Sequence, residues 1–143
     1  MLNSQAADLS YEAQLYLWQK RTLYIGRFES ALELSQGAAT LTVSLDKPFS
    51  FITKDMDIPV YCRSLIIPAG VDITLDAKDA LVANCNLDAL GHDYATLTPY
   101  AEKTHKKIGY QLSKESFLIT CFSHLFNTQM NSFEASKYLE SQL

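Results

Sequence analysis

Apolar and polar positions change their period once along this chain, near residue 88. Up to that point the apolar residues alternate, or gather in short runs closed by turn residues, as strands do. Leu15-Tyr16-Leu17-Trp18 and Arg21 to Phe28 flank Gln19-Lys20 and predict a hairpin. Leu15 and Leu17 fall on one face, Tyr16 and Trp18 on the other, which predicts a strand covered on both sides. Ala31 to Leu34 is a short strand, Ser35 to Ala38 a turn, and Leu41 to Leu45 a clean alternation with Leu41, Val43 and Leu45 inward. Asp46-Lys47-Pro48 turns the chain into a return strand, Phe49 to Thr53. A polar tip, Lys54 to Asp57, leads into a longer run from Ile58 to Ile67.

Leu65-Ile66-Ile67-Pro68-Ala69-Gly70-Val71-Asp72-Ile73-Thr74-Leu75 organises the strand half. Pro68 removes a donor and fixes its own φ. Gly70 allows the positive φ of a tight turn. Val71 to Leu75 then alternates as a half-exposed strand, and Ala80 to Leu87 is the last strand expected. About eight short strands in succession, with no helix between them, predict a sandwich or small barrel.

Beyond Asp88 the period lengthens. Tyr94 to Lys107 is compatible with a helix starting near Pro99. Ser113 is the expected N-cap of a second helix, whose Phe117, Leu118, Cys121, Phe122, Leu125 and Phe126 form a wide apolar stripe. Asn131-Ser132-Phe133-Glu134 has the spacing of a capping box and opens a third, short helix. The fold class is therefore α+β: a small β-barrel or jelly roll of about eight strands followed by two or three C-terminal helices. The expected division is a flexible lead-in over 1–13, a β domain over 14–88 and a helical segment over 89–143, in one structural domain.

Composition narrows the function. With 143 residues, 48% hydrophobic and 20% charged, the chain is long and apolar enough for one domain with its own core. No apolar run reaches the ~20 residues of a membrane helix, and residues 1–10 lack a signal-peptide pattern. The three cysteines, Cys62, Cys85 and Cys121, form no CxxC pair and lie in apolar segments, so buried reduced thiols and a cytoplasmic location are expected. Net charge is −4, and the sole basic cluster is Lys103-Thr104-His105-Lys106-Lys107, read as a solvated helix face or helix end. A nucleic-acid surface on this chain is not expected.

Catalytic patterns are missing. There is no GxSxG, no HExxH and no glycine-rich phosphate loop. Cys121 and His124 share a helix at i, i+3, but an apolar helix face buries the thiol rather than activating it. No enzyme activity and no cofactor are expected. Two candidate sites remain. Strand aromatics and an arginine could line a ligand pocket inside a small barrel: Tyr24, Phe49, Phe51, Tyr61 and Arg63, the last two sharing a strand face. The helical stripe of Phe117, Leu118, Cys121, Phe122 and Leu125 is richer than one packing face requires, and is the candidate dimer interface.

Short strands around Pro68-Ala69-Gly70 resemble a cupin barrel, whose enzymes hold a metal through histidines. Here Ile73 stands three after Gly70, and Ser35 to Thr40 holds no histidine, so no metal site is expected. More broadly, residues 15 to about 140 resemble the N-terminal regulatory domain of AraC-type transcription regulators. The likeness is carried by Leu15-Tyr16-Leu17-Trp18, Arg21 to Gly26, Leu41 to Phe49, Ile66-Ile67-Pro68-Ala69-Gly70-Val71, and Leu87-Asp88 with Asp93-Tyr94 and Leu97. The resemblance implies a cupin-like domain that senses a small-molecule effector, helices that pair two subunits into a homodimer, and DNA contact only through a C-terminal helix-turn-helix unit not present here. The alternative is a stand-alone, metal-free, cupin-like small-molecule binding protein or a protein-interaction domain.

Overall fold

The computed structural model describes residues 13–18, 21–35, 37–87, 99 and 101–142. The expected lead-in over residues 1–12, the Gln19-Lys20 turn and residues 88–98 lie outside the described residues. Eleven strands are present among those described. The first five are β1 (Gln14–Leu17), β2 (Thr22–Arg27), β3 (Leu32–Ser35), β4 (Thr40–Ser44) and β5 (Phe49–Ile52). β6 (Val60–Cys62), β7 (Ser64–Ile67), β8 (Asp72–Asp76) and β9 (Leu81–Asn86) follow. The chain closes with the hairpin β10 (Ala101–His105) and β11 (Ile108–Leu112) and two helices, α1 (Glu115–Thr128) and α2 (Ser132–Gln142).

Strand pairing defines the architecture. β2 pairs β9, β3 pairs β8, β4 pairs β7 and β5 pairs β6, all antiparallel. These nested pairs alternate between two sheets: β2·β9 and β4·β7 in one, β3·β8 and β5·β6 in the other. A long hairpin folded over in this way is an eight-stranded jelly roll. β1 extends the larger sheet beside β2, and the β10–β11 hairpin extends it beside β7, giving the order β1-β2-β9-β4-β7-β11-β10. The α+β architecture is thus a jelly roll carrying two C-terminal helices.

Helices, large sheet and small sheet make three layers with two cores. Leu23, Ile25, Leu41, Val43, Ile66, Ala83 and Cys85 from the large sheet pack against Leu118, Phe122, Leu125 and Leu139 of the helices. Between the sheets, Leu65, Ile67, Val82 and Ile108 meet Phe49, Phe51, Ile73 and Leu75. The Pro68-Ala69-Gly70 turn joins β7 in one sheet to β8 in the other, with Gly70 at φ 80° as its position requires. Asn131 and Glu134 form the expected capping box: the Glu134 amide donates to Asn131 Oδ1 at 2.8 Å, and the Asn131 amide to Glu134 Oε1 at 3.3 Å.

Several expectations are corrected. The run Ile58 to Ile67 is two strands, because the chain bends at Arg63 and changes sheet. β5 does not return along β4; it crosses to the small sheet and pairs with β6 and β8. Residues 101–107, expected to be helical, form β10 and the hairpin tip. The free edge of β7 needs a partner for its backbone groups, and β11 supplies it through Gly109↔Ile66 and Tyr110↔Leu65. Gly109 is required there, since a Cβ would lie 2.7 Å from Ala101 Cβ and 3.0 Å from Ile66 Cγ2. The basic cluster is therefore a hairpin tip, with Lys106 at φ 54°. Ser113 does not cap α1; Lys114 occupies the cap position, without a side-chain bond. β1 is covered on one side alone. Tyr16 is buried against the helices, whereas Leu15 and Leu17 are 61% and 68% exposed.

Candidate functional site

The large sheet has two different faces. On β4, Leu41 and Val43 meet the helices, while Thr40, Thr42 and Ser44 point toward the small sheet. On β9, Ala83 and Cys85 meet the helices, which turns Asn84 and Asn86 inward. On β2, Leu23 and Ile25 meet the helices, so Thr22 and Tyr24 join the inner face. Cross-strand register aligns these residues in two rows. One runs Leu15, Tyr24, Asn84, Thr42, Leu65, and the other Leu17, Thr22, Asn86, Thr40, Ile67. The jelly-roll interior is therefore apolar at β7 and at Val82 of β9, and polar at Thr40, Thr42 and Ser44 of β4, Asn84 and Asn86 of β9 and Thr22 and Tyr24 of β2.

Hydrogen bonds organise the polar part. Thr42 Oγ1 donates to Asn84 Oδ1 at 2.9 Å, and Thr40 Oγ1 to Asn86 Oδ1 at 3.2 Å. Both threonines are buried, and both asparagines are half-buried. Their amide nitrogens have no partner among the described residues. Tyr24 lies back along its own strand: its ring stacks on Phe28 at 5.7 Å between centroids, over Gly26. A Cβ at Gly26 would lie 2.7 Å from Tyr24 Cζ, so the glycine makes room for this ring.

Among the described residues this face carries no charged side chain from β1 to β7. The facing residues of the small sheet, Leu32, Leu34, Phe49, Phe51, Ile73 and Leu75, carry none either. Ile73, at the position of a cupin histidine, is buried in the inter-sheet core. Among the described residues no cluster of three histidine, cysteine or acidic side chains could hold a metal ion.

The five expected ligand residues do not meet in one pocket. Phe49 and Phe51 are fully buried core residues. Tyr24 is on the inner face, as above. Tyr61 is 68% exposed, and with Arg63 it lines an open outer groove of about 360 Å³ beside Glu102, Gln111 and Glu115. Arg63 Nη2 donates to the Ser44 carbonyl at 3.2 Å, while its buried Nε has no partner. Their shared face points out of the barrel because the sheet changes at Arg63. The expected dimer stripe is also corrected. Leu118, Cys121, Phe122 and Leu125 are buried in the subunit's own core; Phe117 alone of the five is exposed.

The sequence did not single out Thr40, Thr42, Asn84 and Asn86. Their signal was the polar half of each alternation, which solvent would ordinarily claim. All three cysteines are buried free thiols. Cys62 is pushed up to about 12, chiefly by burial and then by the Glu115 charge, and burial also raises Cys121. No described helix is long and apolar enough to cross a membrane.

No family model matches the chain, and no curated protein matches its sequence significantly. Solved structures with partial likeness include a cupin-2 domain protein of Shewanella frigidimarina, at 10% identity and TM-score 0.43 over 61% of this chain and 94% of that one. A cupin domain of Bordetella pertussis matches at 13% and 0.42, over 53% and 91%. A cupin superfamily protein of Desulfitobacterium hafniense matches at 15% and 0.42, over 53% and 75%.

Proposed function

We propose that this chain is a non-enzymatic sensory domain that binds a small molecule on the polar inner face of its jelly roll. The observation that carries this reading is the Thr40–Asn86 and Thr42–Asn84 pairing inside the barrel, where an apolar core would be more stable. Half-buried amides without partners are the donors a ligand would use. The resemblance to AraC-type regulatory domains supplies the context: the ligand biases an attached DNA-binding unit by binding one arrangement of the domain better than another.

The same reading includes pairing of two copies through the outer side of the helices. Most of the α1 stripe is committed to the subunit core, so the residues left for contact are Phe117 and, on α2, the exposed Phe133. Phe117→Glu is expected to give a folded monomer by light scattering, with unchanged circular dichroism. A dimer that survives Phe117→Glu together with Phe133→Glu overturns the proposed contact.

Native mass spectrometry of the purified chain tests the binding reading. A carried small molecule is expected in the wild type and lost in Asn84→Leu/Asn86→Leu. Retention of the molecule by the double variant places it elsewhere.

A further inference from the structure

We infer that the ligand of this face is a neutral amphiphile, with an oxygen-bearing head on Asn84 and Asn86 and an apolar tail over Leu15 and Leu17. This rests on the reading of the face as a ligand site. Three observations carry it beyond that reading.

The first is charge. Neither the face from β1 to β7 nor the opposing side of the small sheet holds an ionised side chain among the described residues. An anion or cation bound at this face would lose water and gain no countercharge, a cost a neutral head avoids. The second is donor polarity. The Thr42 hydroxyl donates to the Asn84 amide oxygen, and the Thr40 hydroxyl to that of Asn86 at 3.2 Å, with the Ala38 carbonyl a longer alternative at 3.5 Å, so what the pairs offer outward is N–H. Such donors select acceptor oxygens, as in an amide, an ester or an alcohol. The third is the apolar lip. Leu15 and Leu17 are exposed yet share register rows with the two asparagines, two strands away, or about 10 Å at ordinary strand spacing. The Tyr24 ring between them is folded onto Phe28 and Gly26. A ligand spanning lip and asparagines would cover leucines that otherwise face water.

The test follows the side-chain NH2 resonances of Asn84 and Asn86 in the 15N-labelled full chain during titration with butanamide, hexanamide and hexanoate at pH 7. Both amides are expected to move both NH2 pairs. Hexanamide should bind at least tenfold more tightly than hexanoate, and tighter than butanamide by about fourfold per added methylene. Leu15→Ser/Leu17→Ser, at exposed positions, should fold normally and lose the chain-length dependence while keeping the head-group shifts. Hexanoate binding as tightly as hexanamide overturns the neutral class and leaves the site standing. Wild-type affinity independent of chain length overturns the lip. NH2 resonances unmoved by every compound overturn the site itself.

Discussion

Thr42 on β4 donates its hydroxyl to the Asn84 side chain on β9 at 2.9 Å, inside the jelly roll and with the threonine fully buried. Two neighbouring strands thus place hydrogen-bonding groups beside an inter-sheet core that is otherwise apolar, built mainly of leucine, isoleucine and phenylalanine with Val82, Ala77, Ala80 and Cys62. If the pair serves binding rather than folding, removing both members together should cost little stability.

Thr42→Val alone is expected to destabilise the protein by about 1–2 kcal/mol, since it leaves the Asn84 amide oxygen without its donor. The double variant Thr42→Val/Asn84→Leu should recover most of that loss. Urea denaturation of the four members of the cycle measures the coupling. A double variant as unstable as the sum of the singles would make the pair a folding element.

Gly26→Ala should displace the Tyr24 ring, because the new methyl would overlap it. A loss of about 1–3 kcal/mol is expected from such overpacking, with a weakened near-ultraviolet circular dichroism signal from the Tyr24–Phe28 stack. In a Tyr24→Ala background the same substitution should cost much less. Equal cost in both backgrounds would trace the effect to the backbone.

Asp46 ties the turn after β4 to the start of β9. Burial alone would raise its pKa, but the Leu81 and Lys47 amides and the Arg27 guanidinium hold it below the ordinary carboxylate value. A folded-state pKa below the unfolded one means that the unfolded chain takes up the proton first. Its contribution is therefore present above about pH 4 and is lost as pH falls through the folded value. Asp46→Asn should be less stable than wild type at pH 7 and approach it below pH 3, followed by thermal melting across that range.

Asn131→Ala should cost about 1 kcal/mol by opening the box at the start of α2. Hydrogen exchange should rise in the first turn of α2, at the amide of Glu134, while β4 and β9 stay protected. Loss of protection across the large sheet would show that α2 folds as one unit with it.

Much of the fold could be read from the chain, for local physical reasons. Pro68 and Gly70 dictate a turn wherever they lie, and Asn131 with Glu134 satisfies helix amides within one turn of chain. The hairpin at 101–112 was not legible, since a strand there depends on the unpaired edge of β7, which is distant in sequence. Tyr61 and Arg63 obey the period of two, but the bend at Arg63 turns their face outward.

The candidate site shows the limit most plainly. Alternation along Thr40 to Ser44 and along Leu81 to Asn86 fixes that, within each strand, Leu41 and Val43, and Leu81, Ala83 and Cys85, share one face, and that Thr40, Thr42 and Ser44, and Asn84 and Asn86 together with Val82, share the other. It says nothing about what each face meets. In an ordinary two-layer sheet the polar face would belong to water. Here the helices take the apolar face of the large sheet and the small sheet closes over the other. The same residues that read as a solvated strand surface therefore become the lining of the barrel. Periodicity is a property of the single strand, whereas the identity of the inside is decided by which layers stack upon it.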